Sequence, residues 1–201
     1  MAQPGQSDFA QQPAAQRAAI LYAAAQASQQ LRDTAGAHAF WRQLDALVPA
    51  SDAAARRQSA WLGAELALAA GQPQQALDLV ERHPAPQLRP AVLLHAQAQL
   101  ALQRPALASE RLQTWVTHPQ DAQAWQWLAQ AWQAQNQPLR ALRAQAEAQV
   151  AIRDFSAAQD RLKAAQDLAR RGSNQDHIEA SIIDTRLRAV TELLLEEARK
   201  Q

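Results

Sequence analysis

The apolar positions of this chain recur at helical intervals. Ile183, Leu187, Val190 and Leu194 follow one another at steps of four, three and four, and Ala158, Leu162, Ala165 and Leu168 at four, three and three. Such spacing lines one face of a 3.6-residue turn, and it predicts a helix from Phe155 to Arg171 and another running to about Lys200. Upstream, a longer period is laid over the short one. Ala64, Ala96 and Ala129 stand 32 and 33 residues apart, and Ala76, Ala108 and Ala141 repeat the same two intervals. A turn signal separates the two alanines of each pair: Gly71-Gln-Pro73, Gln103-Arg-Pro105 and Gln137-Pro138. Proline suits the first turn of a helix and glycine the position just past its end. A looser earlier unit has Ala25 and Ala37 about the turn Asp33-Thr-Ala-Gly36 and is closed by Pro49, with a longer connection near Pro49 to Asp52.

Two helices per unit, with a small residue on each where they must approach closely, make a helical hairpin, and a period of this length marks a stacked array of them. The predicted fold is all-α, a helical-hairpin solenoid. Residues 1–17 read as a flexible leader, residues 18–172 as about four hairpins plus an extra helix, and residues 173–201 as a C-terminal capping helix. The unit resembles the tetratricopeptide repeat, best in the third clear unit, where Trp125, Leu128, Ala129, Trp132, Ala141 and Ala148 occupy family positions. Gln145 stands where a large apolar residue is usual. Val92 and Ala60 replace the first Trp in other units, and Trp115 and His83 a late Ala.

Composition agrees with a helical core. Of 201 residues 48% are hydrophobic and 19% charged, with only 5 Gly, enough apolar material for one or two domains and too few strand formers for a sheet. A formal charge of +1 gives no field toward nucleic acid, and the pairs Arg56-Arg57 and Arg170-Arg171 read as solvated helix surface. Apolar runs such as Ala18 to Ala25 and Ala60 to Ala70 fall short of a membrane span. Residues 1–17 lack the basic start and apolar run of a secretory signal. With no Cys, disulfides and thiolate metal sites are excluded.

No catalytic, cofactor-binding or metal-binding residue emerges. His38, His83, His95, His118 and His177 never fall within four residues of one another. Asp176, His177 and Glu179 are the densest ligand-type cluster, but Asp176 three residues before Glu179 is a helix capping box. Asp45 with Asp52 and Glu196-Glu197 read as surface charge, and Asp184 with Arg188, Glu196 with Lys200 and Asp167 with Arg171 as intrahelical pairs. Of the six Trp, Trp125 and Trp132 lie seven apart on one packing face, Trp127 falls off it, and Trp61 stands between groove and core.

First helices of stacked hairpins line a concave surface, so the register nominates Tyr22, Gln26 and Gln29, then Trp61, Glu65 and Leu68, then Leu93, Gln97 and Leu100, and last Gln126, Gln130 and Gln133. The set is amide-rich, with apolar islands and one acid. It suits extended or partly unfolded polypeptides better than a terminal carboxylate.

A closer resemblance lies toward the C-terminus. The segments Leu139 to Glu147, Arg161 to Leu168 and Asp176 to Arg186 look like the C-terminal end of periplasmic zinc metalloproteases of the β-barrel assembly-enhancing type. That resemblance implies a docking region for outer-membrane protein substrates, assembly-machine proteins and the parent's own protease domain. Zinc would then belong to the parent's His-Glu-x-x-His motif, which this chain lacks. Apart from that resemblance, the one-sided seam of the last helix reads as a capping face or as a dimerisation or docking seam, so the array is expected to be a monomer or a weak dimer through that helix. The alternative is a stand-alone tetratricopeptide adaptor in another assembly.

Overall fold

A computed structural model describes residues 9–117, 120–171 and 177–199. Among them there is no strand. After a helical turn at residues 9–11 the chain runs through α1 (Ala14–Gln30), α2 (Thr34–Leu47), α3 (Ala53–Ala69), α4 (Pro73–Arg82) and α5 (Arg89–Ala101). It continues through α6 (Pro105–Trp115), α7 (Ala122–Ala134), α8 (Pro138–Ala151), α9 (Phe155–Arg171) and α10 (His177–Ala198). No described helix is long and apolar enough to cross a membrane.

Two devices start seven of these helices. Asp33, Asp52, Asp121 and Asp154 each accept the backbone N–H three residues on, at 2.9, 2.9, 3.2 and 3.0 Å, which satisfies a donor that has no partner inside the helix. Pro73, Pro105 and Pro138 instead open α4, α6 and α8, where a missing N–H costs nothing.

One device ends five of them, α1, α3, α5, α7 and α8. Arg32, Gly71, Gln103, Asn136 and Arg153 all take a left-handed conformation, with φ between 55° and 71°. The next residue's N–H then reaches back five positions to a carbonyl, as in Gln72 to Ala67 at 2.8 Å and Gln137 to Trp132 at 3.0 Å. This is the Schellman closure, and four of its five left-handed residues are not glycine. From Arg32 to Gly71, Gln103 and Asn136 the closures fall 39, 32 and 33 residues apart, the intervals of the alanine repeat. Arg153 follows Asn136 after only 17, so α9 leaves α8 by the same tight turn.

The eight repeat alanines, Ala25, Ala37, Ala64, Ala76, Ala96, Ala108, Ala129 and Ala141, are all 3% exposed or less. Neighbouring helices α1 and α2, α3 and α4, and α7 and α8 pack face to face, as small residues at the crossing permit.

The chain divides into two compact units, Met1–Ala98 and Gln99–Gln201. The division falls within α5. In the first unit Leu21, Leu44, Val48, Leu62 and Leu66 form the core, and Phe9 and Trp41 pack against it. The Arg17 guanidinium lies 5.3 Å from the Phe9 ring centre. The segment expected as a leader therefore belongs to this unit from residue 9 onward, and α1 opens at Ala14 rather than Ala18. Residues 1–8 lie outside the described ones. Where α2 meets α3, a Cβ on Gly63 would sit 2.4 Å from the Trp41 ring, so only glycine lets the indole lie there. Trp41 donates from its indole to the Ser59 carbonyl at 2.8 Å, and Ser59 donates to Asp45 at 2.8 Å. Asp45 is thus committed to this joint and to Arg56, while Asp52 caps α3.

In the second unit α7 packs against α6 and α8, α8 against α9, and α9 against α10. The core holds Leu139, Phe155, Leu162, Ile183 and Val190, with Leu187 and Leu194 partly buried against it. All four residues of the C-terminal seam therefore face inward. Polar anchors flank that seam. Glu179, 4% exposed, pairs with Arg143 and Arg140, and Arg186 grips Glu147 with two bonds of 2.7 and 2.8 Å. Gln166 takes up the Asp184 carboxylate at 2.8 Å, leaving Arg188 on the Asp184 carbonyl instead of the expected carboxylate. Asp167 pairs with Arg170, one residue short of the expected Arg171. Asp176 and Lys200, named in the expected capping box and ion pairs, lie outside the described residues, as does His118.

Candidate functional site

The richest group of the nominated surface residues sits on α7. Asp121 caps this helix and accepts the Trp115 indole N–H at 2.8 Å, tying its start to the end of α6. At the other end Gln135 donates to the Ser109 hydroxyl at 2.9 Å and to the Pro105 carbonyl at 3.2 Å. Between these ties Ala124, Trp125, Leu128, Ala129, Ala131 and Trp132 are buried, and the Arg140 guanidinium stacks 5.0 Å from a Trp132 ring centre. Burial of that stripe leaves the opposite one to solvent, as an amphipathic helix requires. Gln126, Gln130 and Gln133 lie on it, all exposed.

These three glutamines line one open depression of about 490 Å³ together with Ala129, Ala134 and Gln145 of α8. Gln145 was legible only as a departure, an amide where the repeat expects a large apolar side chain. Its polarity at a packing position was the signal, and the structure turns it into a wall of the site. The lining has no ionisable group. Its amides offer donors and acceptors in equal measure, and its floor is methyl groups.

In the first unit the nominated residues divide. Tyr22, Gln26 and Glu65 come together: the Gln26 amide donates to the Tyr22 hydroxyl at 3.3 Å, and Glu65 acts on the phenol through its charge. Burial pushes the Glu65 carboxyl above its ordinary range, and burial, then the Glu65 charge, push the Tyr22 phenol above its own. Gln29 lines a separate depression of about 280 Å³ with Arg32, Thr34, Ala37, His38, Leu66 and Ala69. Trp61 is buried at 5% exposed, its indole N–H without a partner, which settles it as interior. Leu93 is equally buried, while Leu68, Gln97 and Leu100 are half-buried. Neither Trp61 nor Leu93 presents a surface to a ligand here.

Trp127 is half-buried with its indole N–H enclosed and unpaired. Among the described residues no three His, Asp or Glu side chains gather into a metal-holding group. His177 is exposed at the start of α10, and Glu179 turns away from it into its arginine pairs.

No protein-family model matches the chain, and no curated protein matches it in sequence.

Proposed function

We propose that this chain is a non-catalytic docking scaffold for polypeptides, built as a tetratricopeptide-like array of helical hairpins. The observation that carries the proposal is the convergence of Gln126, Gln130, Gln133 and Gln145 on one uncharged, open depression. Such a surface has hydrogen bonds to offer and no group suited to proton transfer or nucleophilic attack. The recurrence of helix closures at 39, 32 and 33 residues supports the array.

The narrower reading makes the chain the substrate- and partner-docking region of a periplasmic zinc metalloprotease and chaperone, with zinc held by a separate domain. Its support is the resemblance carried by Leu139 to Glu147, Arg161 to Leu168 and Asp176 to Arg186. A stand-alone adaptor is the second reading, favoured by the way α10 closes over the apolar faces of α8 and α9.

The test uses the chain immobilised on a sensor surface and a chemically unfolded, thiol-blocked polypeptide in solution. Reversible binding with Kd on the order of micromolar is expected, because long amide side chains lose entropy when they are fixed. The same polypeptide should stay intact on prolonged incubation with the chain, with or without added zinc. Cleavage that a chelator abolishes would overturn the non-catalytic reading, and absence of binding would overturn docking.

A further inference from the structure

We infer that the α7–α8 depression recognises the main chain of an extended polypeptide segment and is largely indifferent to its side chains. The inference rests on the docking reading and specifies what that site takes hold of.

Gln126, Gln130, Gln133 and Gln145 line one surface and make no side-chain hydrogen bond among the described residues. Four amides on one surface with their donors and acceptors unspent will pair with a ligand that itself alternates donor and acceptor. A polypeptide main chain is that ligand. Spacing agrees. Along a helix Gln126 and Gln130 are separated by a rise of about 6 Å, and Gln126 and Gln133 by about 10.5 Å. An extended chain repeats its same-facing groups about every 6.8 Å, so amides one helical turn apart meet main-chain groups two residues apart. The difference is within the reach of a glutamine side chain.

Charge complementarity narrows the occupant. With no ionisable residue in the lining, the site has nothing to neutralise a terminal carboxylate, a phosphate or an acidic side chain, and an uncharged stretch of main chain meets no unpaired charge. The floor of Ala129 and Ala134 offers no deep pocket to select a large side chain. Ligand side chains alternate in direction along an extended segment, so half of them point away from α7 altogether.

The experiment measures binding of an eight-residue, uncharged, end-blocked peptide to the full chain by fluorescence anisotropy, beside two relatives of that peptide. One has its residues scrambled; the other replaces alternate amide N–H groups with ester oxygens, which removes donors without changing shape. Scrambling should change affinity less than about 3-fold, and each ester on the bound edge should weaken it about 3- to 10-fold, the fold-change that one net hydrogen bond represents. The double variant Gln126→Ala/Gln130→Ala should weaken the parent peptide by a similar or larger factor. Both positions are exposed on a helix and alanine favours helix, so the fold is retained, as circular dichroism would verify. If scrambling matters more than 10-fold and esters do not matter, or if the double variant binds as the parent does, the inference fails while docking stands. If none of the peptides binds the unaltered chain, docking fails with it.

Discussion

Tyr22 is the chain's one tyrosine, which makes the Tyr22–Glu65 pair readable without background. Both groups are shifted upward, so folding favours their neutral forms. For Glu65 the sign follows directly. The stability gained from the neutral carboxyl is fully present below the ordinary carboxylate pKa of about 4.3 and is lost as pH rises through the raised folded value. Glu65→Gln should therefore match the parent protein in acid and exceed it in stability at neutral pH, as thermal melts across that interval would register. In the same variant the Tyr22 phenolate transition, followed by absorbance near 295 nm, should move down toward about 10 without reaching it, because burial remains. An unmoved transition would mean that Glu65 does not act on the phenol.

At this scale the sequence revealed some residues and hid others. The eight alanines were legible because a close helix crossing admits only small side chains, and a small residue recurring in phase is visible in any sequence. The left-handed closures were not. Gly71 announces its turn and Asn136 hints at one, but Arg32, Gln103 and Arg153 perform the same service with side chains that give no such signal.

Among the elements, α10 shows what a period can and cannot convey. Its apolar seam stands in the sequence at steps of four and three, yet its anchors reach across 36 and 39 residues, from Arg143 to Glu179 and from Glu147 to Arg186. Pairs so distant leave no local pattern. Glu179→Ala should strip Arg143 and Arg140 of their shared carboxylate and cost about 2 kcal/mol, less than a fully buried pair because the two guanidinium groups are 24% and 39% exposed. Denaturant titration would give the cost, and amide hydrogen exchange should show protection lost first along α10. Unchanged exchange there would mean that the apolar seam alone holds the helix. The second hidden feature belongs to α8. Gln145 broke the repeat pattern and was passed over, although the α7 surface it completes was already marked by Gln126, Gln130 and Gln133.

Across the molecule, the all-helical class and the alternation of helix and turn were readable from spacing, since each unit repeats the same two helices and the same closure. Partition into two units within α5 was not, because the repeat runs through the boundary without a change in period. Nor did the register decide Trp61, left between groove and core, or foresee that Leu93 turns inward, since burial depends on neighbours that sequence spacing does not name. On the docking function proposed above, a bound polypeptide lies along the amide face of α7. A photoreactive amino acid placed at Gln130, with another at the exposed Asp160 of α9 as reference, tests that placement directly in the presence of an unfolded polypeptide. Cross-linking from position 130 well above that from 160, and suppressed by an excess of unlabelled extended peptide, is the result expected. Equal cross-linking from both positions, or cross-linking from 130 that the peptide does not suppress, would contradict the account.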